Sequence, residues 1–125
     1  MRSLSMVAAL AAAALASAPA FAHPKLLSAN PAANAVVAAP TRVQLSFSEG
    51  LVTQFSGADL SMTDMPGMKM NSPMKMALKA SVAPDGKTLV LALAKPPPRG
   101  TYRLAWHVVS TDTHRVQGSY AFKVK

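Results

Sequence analysis

The chain has no cysteine. Disulfide stapling and CxxC redox chemistry are therefore excluded, and an exported domain of this composition must be held together by its core. Acidic residues are also scarce: 5 Asp and Glu stand against 13 Lys and Arg, a net charge of +8. The cations Lys25, Arg42, Lys69, Lys79, Lys95, Arg99, Arg103 and Lys123 are scattered along the chain. No basic patch interleaved with aromatics forms, which argues against nucleic acid as a partner. The default reading is a solvated cationic surface with a weak attraction for anionic partners. Aromatics are few, and beyond the N-terminal region they are Phe47, Phe55, Tyr102, Trp106, Tyr120 and Phe122. No Ser/His/Asp hydrolase pattern or glycine-rich phosphate loop is present. No internal repeat and no helix of normal length can be read from the pattern. No stretch approaches the roughly 20 apolar residues of a membrane-spanning helix.

Met1-Arg-Ser-Leu-Ser-Met-Val carries one positive charge, an apolar run follows from Val7 to Ala16, and Ala20-Phe21-Ala22 closes the segment. A charged start, a short apolar stretch and an A-x-A site are the parts of a cleavable export signal. Residues 1–22 are thus expected to be removed, leaving one exported domain at 23–125, periplasmic in a Gram-negative cell, that begins at His23. That length suffices for one small domain with a single core.

The domain reads as β throughout. Val43, Leu45 and Phe47 alternate with Gln44, Ser46 and Ser48, as in a half-buried strand. Lys87–Ala94 reads as a buried strand, joined to a strand over Ala77–Ala83 through the turn Pro84-Asp85-Gly86. Pro96-Pro97-Pro98 must be extended. Tyr102, Leu104, Trp106 and Val108 form one face of the next strand, with Arg103, Ala105 and His107 on the other, and Tyr120, Phe122 and Val124 mark a closing strand. Adding Lys25–Ser28 and Leu51–Ser61 gives about seven short strands, which predicts an all-β, Ig-like Greek-key sandwich or barrel with one Met-rich loop.

That loop concentrates the chemistry. Met62, Met65, Met68, Met70, Met74 and Met76 all fall within one short window, and the other methionines, Met1 and Met6, lie in the leader. Pro66, Gly67, Asn71 and Pro73 forbid a helix there. Met65-Pro66-Gly67-Met68 has the residues of a type II turn, which draws its first and fourth residues together. Thioethers are soft, uncharged ligands that suit Cu(I). Two other readings stand beside this one, a core filler and an adaptable apolar contact surface. Because loops lie at the surface, the core reading is the weaker.

A second, harder donor set is built from histidine. Once residues 1–22 are removed, His23 offers both its α-amine and its Nδ1 to one ion in a six-membered chelate, which suits tetragonal Cu(II). Asp112-Thr113-His114 places a carboxylate and an imidazole two residues apart, on one face of an extended segment. The lesser reading of Asp112 is an Asx turn that caps a bend. Glu49 can hydrogen-bond a ligand imidazole from behind or stand simply as a solvated acid before Gly50. His107 follows Trp106, faces away from the core and reads as a surface histidine.

Taken together, His23-Pro-Lys-Leu, Phe47-Ser-Glu49, Met65-Pro-Gly-Met68 and Val109-Ser-Thr-Asp-Thr-His114 resemble the CopC family of periplasmic copper-resistance proteins across the whole of 23–125. The resemblance implies an Ig-like fold with two copper sites. His23, Asp112 and His114 match the family's Cu(II) ligands, and Met62, Met65, Met68 and Met74 its Cu(I) ligands. Two departures stand out. Met70 and Asn71 occupy a part of the loop where members with the Met site usually have a histidine, which makes the soft site all-thioether and brings Met70 into it. Arg115 follows the Asp-x-His motif where proline is common.

The expected function is a periplasmic copper carrier or buffer in copper resistance or homeostasis, not an enzyme. It would exchange copper ions with an inner-membrane transporter or another periplasmic copper protein. A Met-surface interaction module that binds copper incidentally is the alternative. A His-brace copper oxygenase fits less well, since Asp112 would fill a position that oxygen needs and no flat aromatic face is evident.

Overall fold

The computed structural model describes residues 23–125, so the expected leader lies outside the described residues. Nine strands form two sheets. The first sheet orders β1 (Leu26–Asn30), β3 (Arg42–Phe47), β7 (Thr88–Leu93) and β6 (Leu78–Val82) side by side, all antiparallel. The second orders β2 (Val36–Val37), β9 (Arg115–Val124), β8 (Gly100–Val109), β4 (Gly57–Asp64) and β5 (Met74–Met76), with only the β2–β9 pair parallel. Among the described residues no helix is long and apolar enough to cross a membrane.

The alternating patterns account for the core. Val43, Leu45 and Phe47 of β3 and Leu89 and Leu91 of β7 meet Leu60, Leu104, Trp106, Val108 and Phe122 of the other sheet. Phe47 and Trp106 close the layer edge to face, with ring centroids 5.1 Å apart. The Pro84-Asp85-Gly86 turn forms as expected. Gly86 has φ 74°, and the Asp85 carboxylate accepts the Lys87 and Thr88 backbone N–H groups, which hold it below the usual carboxylate range.

Two expectations change. Leu51–Ser61 is not one strand: a short 3-10 turn over Thr53–Phe55 comes first, and pairing with β8 begins at Gly57. The Ser56 hydroxyl donates to the Val52 carbonyl and accepts the Val109 N–H, so it stabilises that turn against β8. Lys87–Ala94 contracts to β7 and is buried mainly on one face, since Ala92 is exposed while Leu89 and Leu91 are not.

Gly118 on β9 faces the Trp106 indole so closely that a Cβ there would stand 2.5 Å from a ring carbon. A rigid ring that is 8% exposed has little room to retreat. Gly118→Ala should therefore cost about 1–3 kcal/mol by overpacking and lower the melting temperature by several degrees. An unchanged melting curve would show that the indole can move.

Candidate metal centres

The histidine centre is assembled at the β8–β9 hairpin tip, Ser110–His114. Ser110 is buried, and its N–H donates to the His114 carbonyl at 2.9 Å, closing the tip. The Thr111 N–H donates to the Gly50 carbonyl at 2.9 Å, which fastens the tip to the segment that carries Glu49. Thr113 has φ 75°, a left-handed conformation that a β-branched residue adopts only under local constraint. Here it turns the chain so that Asp112 and His114 converge.

The Asp112 carboxylate accepts the Ser110 hydroxyl and the His114 backbone N–H through Oδ1, while Oδ2 lies 3.1 Å from His114 Nδ1. The Ser110 hydroxyl is the main influence holding the carboxyl below the usual carboxylate range. Asp112 thus keeps its negative charge and fixes the imidazole plane, and Nε2 is the ring nitrogen through which His114 would take an ion. The Asx bend read from the sequence is present, and the same carboxylate lies beside the His114 imidazole.

His23 reaches this tip from the opposite sheet. Its segment is anchored by buried Pro24 and by a reciprocal pair with Ser48: the Lys25 N–H donates to the Ser48 hydroxyl, and the Ser48 N–H donates to the Lys25 carbonyl, both at 2.9 Å. The His23 and His114 rings stand edge to face, 4.7 Å between centroids. Among the described residues, however, no three His, Asp or Glu side chains form a complete cage for an ion. The two imidazoles and Asp112 therefore do not make a complete site by themselves.

Glu49 is half-buried next to Gly50, whose carbonyl accepts the Thr111 N–H of the hairpin tip. His107 lies on the outer face of the second sheet as expected, its ring over Gly57, where a Cβ would be 3.3 Å from the imidazole carbon.

The methionine centre is at the other end of the sandwich. Met65-Pro66-Gly67-Met68 closes as a type II turn: Gly67 has φ 76°, the Met68 N–H donates to the Met65 carbonyl at 3.1 Å, and Met65 and Met68 pair across it. A β-bulge between Met62 and Asp64 inserts Thr63, so Thr63 and Asp64 both face solvent and Met65 returns to the face that Met62 occupies. Met74 pairs directly with Met62 and Met76 with Leu60. Met68 and Met74 are 62% and 52% exposed, whereas Met65, Met70 and Met76 pack partly against the core.

Met62 departs from the expected surface loop. It is 0% exposed, and its methyl lies 3.2 Å from where a Cβ on Gly100 of β8 would stand. Its thioether is a core element turned away from the β5 edge. The reason is strand alternation: Met62 still belongs to β4, two residues beyond buried Leu60, and the loop starts only after the bulge.

The two centres are far apart. The ten-residue strand β8 separates the Thr101 end, paired with Asp64, from the Ser110 tip, and at about 3.3 Å per residue it spans roughly 30 Å. An ion cannot pass directly between the two within one molecule.

Sequence reasoning missed Ser110, the buried hydroxyl on which the Asp112 geometry depends; only its place two residues before Asp112 could have signalled it. It also left Met76 without a role, although the i, i+2 spacing from Met74 was readable.

Comparison with known proteins agrees with this architecture. A family model described as the CopC domain matches residues 26–125. Copper resistance protein C of Xanthomonas campestris pv. juglandis is 54% identical over 124 residues, covering 99% of this chain and 97% of that protein. Copper resistance protein C of Pseudomonas syringae pv. tomato is 52% identical over 121 residues, 97% of this chain and 95% of that one. The crystal structure of PcoC, a methionine-rich copper resistance protein from Escherichia coli, superimposes with a TM-score of 0.75 at 48% identity, covering 83% of this chain and 100% of that one. By sequence and by fold alike, the chain belongs to the CopC domain family of copper resistance proteins.

Proposed function

We propose that this protein is a periplasmic copper carrier that holds Cu(II) at the hairpin tip and Cu(I) at the methionine turn. The observation that carries the reading is the approach of His23 to His114, 4.7 Å ring to ring, with Asp112 holding the second imidazole. The names of the relatives support copper as the cargo. Cu(II) would take the α-amine and Nδ1 of His23 and the Nε2 of His114. Asp112 supplies negative charge beside the dication and, through a lone pair not used in its hydrogen bonds, a carboxylate oxygen. Glu49 would support this set by hydrogen-bonding a ligand imidazole. Cu(I) would take thioethers from Met65, Met68, Met70 and Met74, of which exposed Met68 and Met74 are the ones an acceptor meets. Met62, expected from the family resemblance, is the donor with furthest to move.

Filled by nitrogen, oxygen and sulfur donors and set apart by roughly 30 Å, the two sites suit storage and handover between proteins rather than catalysis. The donor or acceptor is an inner-membrane copper transporter or another periplasmic copper protein. Residues 1–22 direct export, and their removal generates the α-amine.

Copper titration tests this reading. One Cu(II) and, under reducing conditions, one Cu(I) should bind per chain. A surface that uses its methionines only to contact a partner would bind no copper stoichiometrically. Within the Cu(II) site, His114→Ala should weaken binding strongly, Asp112→Asn less, and His107→Ala hardly at all, since His107 lies on the outer sheet face over Gly57. Equal losses for His107→Ala and His114→Ala would overturn the assignment.

A further inference from the structure

Resting on the Cu(I) reading above, we infer that Met76 is a ligand of the soft site and fills the inner place that buried Met62 does not. β5 pairs with β4 so that Met74 stands opposite Met62 and Met76 opposite Leu60. Alternation along the strand puts Met74 and Met76 on one face, with Lys75 on the other, where it pairs with Asp59 at 3.2 Å. The Met74 and Met76 Cα atoms are about 7 Å apart along the strand. Two unbranched side chains with three rotatable bonds each can close that gap on a single ion.

The surroundings also suit a soft monocation. Met74 and Met76 line the same groove, of about 230 Å³, between β5 and the Leu93–Pro97 segment, whose walls include Leu93, Ala94 and Pro97. The wall is largely hydrocarbon, so neutral sulfur is the strongest donor it offers. Lys95 also lines the groove, whereas the Lys75 ammonium is paired with Asp59 on the other face. Repulsion from Lys95 scales with the charge of the ion, so it penalises Cu(II) twice as heavily as Cu(I). Met62 has the opposite character: it is sealed from solvent, with its methyl against Gly100 on β8, the far side of β4 from β5. Met76 is half-buried at the open edge of the same layer, so its sulfur can meet an ion already held by Met74 without unpacking the core. The competing account is that Met76 merely plugs the core beside Leu60 and Leu78, a task that leucine would perform as well.

Protein labelled with ¹³C at the methionine methyl groups distinguishes the two, with Ag(I) as a soft monocation that does not change oxidation state. Resonances are assigned from single Met→Leu variants. One equivalent of Ag(I) should shift the methyl signals of Met65, Met68, Met70, Met74 and Met76 and leave that of Met62 in place. Met76→Leu should lower Ag(I) affinity about tenfold and Met62→Leu by under about twofold. Both variants should fold, because leucine nearly conserves the volume of methionine. If the turn methionines shift while Met76 stays fixed and Met76→Leu binds like the parent, Met76 is a plug and this inference fails, while the Cu(I) reading stands. If no methyl of the tract responds, the Cu(I) site itself is wrong, and Met76 falls with it.

Discussion

A protein that begins one residue before His23 should bind Cu(II) on the order of a thousandfold more weakly than one that begins at His23, a loss of about 4 kcal/mol. The extra residue converts the α-amine into an amide. A free α-amine has a pKa of roughly 7.7–8.0 and yields its proton to a metal near neutral pH, whereas an amide nitrogen is a poor ligand unless deprotonated. The loss exceeds that of one isolated donor because amine and Nδ1 belong to the same chelate ring. Nothing in the fold should change, since Pro24 is buried and Lys25 remains bonded to Ser48. The melting temperature without copper should match between the two proteins, and Cu(I) binding should be untouched at the far end of β8. Paired isothermal titrations on the two proteins make the comparison. Equal affinities would mean that the two imidazoles and Asp112 suffice alone, against the absence of a complete three-residue cage among the described side chains.

Replacing Met65, Met68, Met70 and Met74 together by leucine should abolish Cu(I) binding and leave Cu(II) binding at its original strength. Leucine keeps the apolar bulk and removes sulfur, the only atom of these side chains that a soft ion can use. The turn itself should survive, because it rests on Pro66, on the positive φ of Gly67 and on the Met68 N–H bond to the Met65 carbonyl. Competition with a coloured Cu(I) chelator reads the effect. A variant that still held Cu(I) at the parent affinity would show that the tract serves packing or contact instead.

Much of this was legible because the physics is local. The Val43, Leu45, Phe47 alternation and the Tyr102 to Val108 stripe put their residues in the core in the expected order. Pro66-Gly67 specified a type II turn, and positive φ at Gly67 is what that turn requires. His107 was placed on an outer face simply by following Trp106. The misses came from interactions remote in sequence. β2 and β5 are two and three residues long, too short to carry a periodic signal, and exist because β9 and β4 offer them an edge. The bulge at Thr63 has no sequence signature. It decides that Met65 joins the inner face while Met62 remains part of a strand, so a window that reads as one loop is divided between core and surface. Likewise, the convergence of His23 on the hairpin tip depends on Ser48, Gly50 and buried Ser110, which link segments distant along the chain.

Copper-edge X-ray absorption on the 23–125 protein tests the central claim, two chemically distinct copper sites on one small sandwich, most directly. The protein is loaded with one equivalent of Cu(II), measured, and measured again after reduction. The account predicts nitrogen and oxygen neighbours, with the multiple-scattering pattern of imidazole, in the oxidised sample, and a sulfur-dominated shell after reduction. The same set of neighbours in both oxidation states would contradict it.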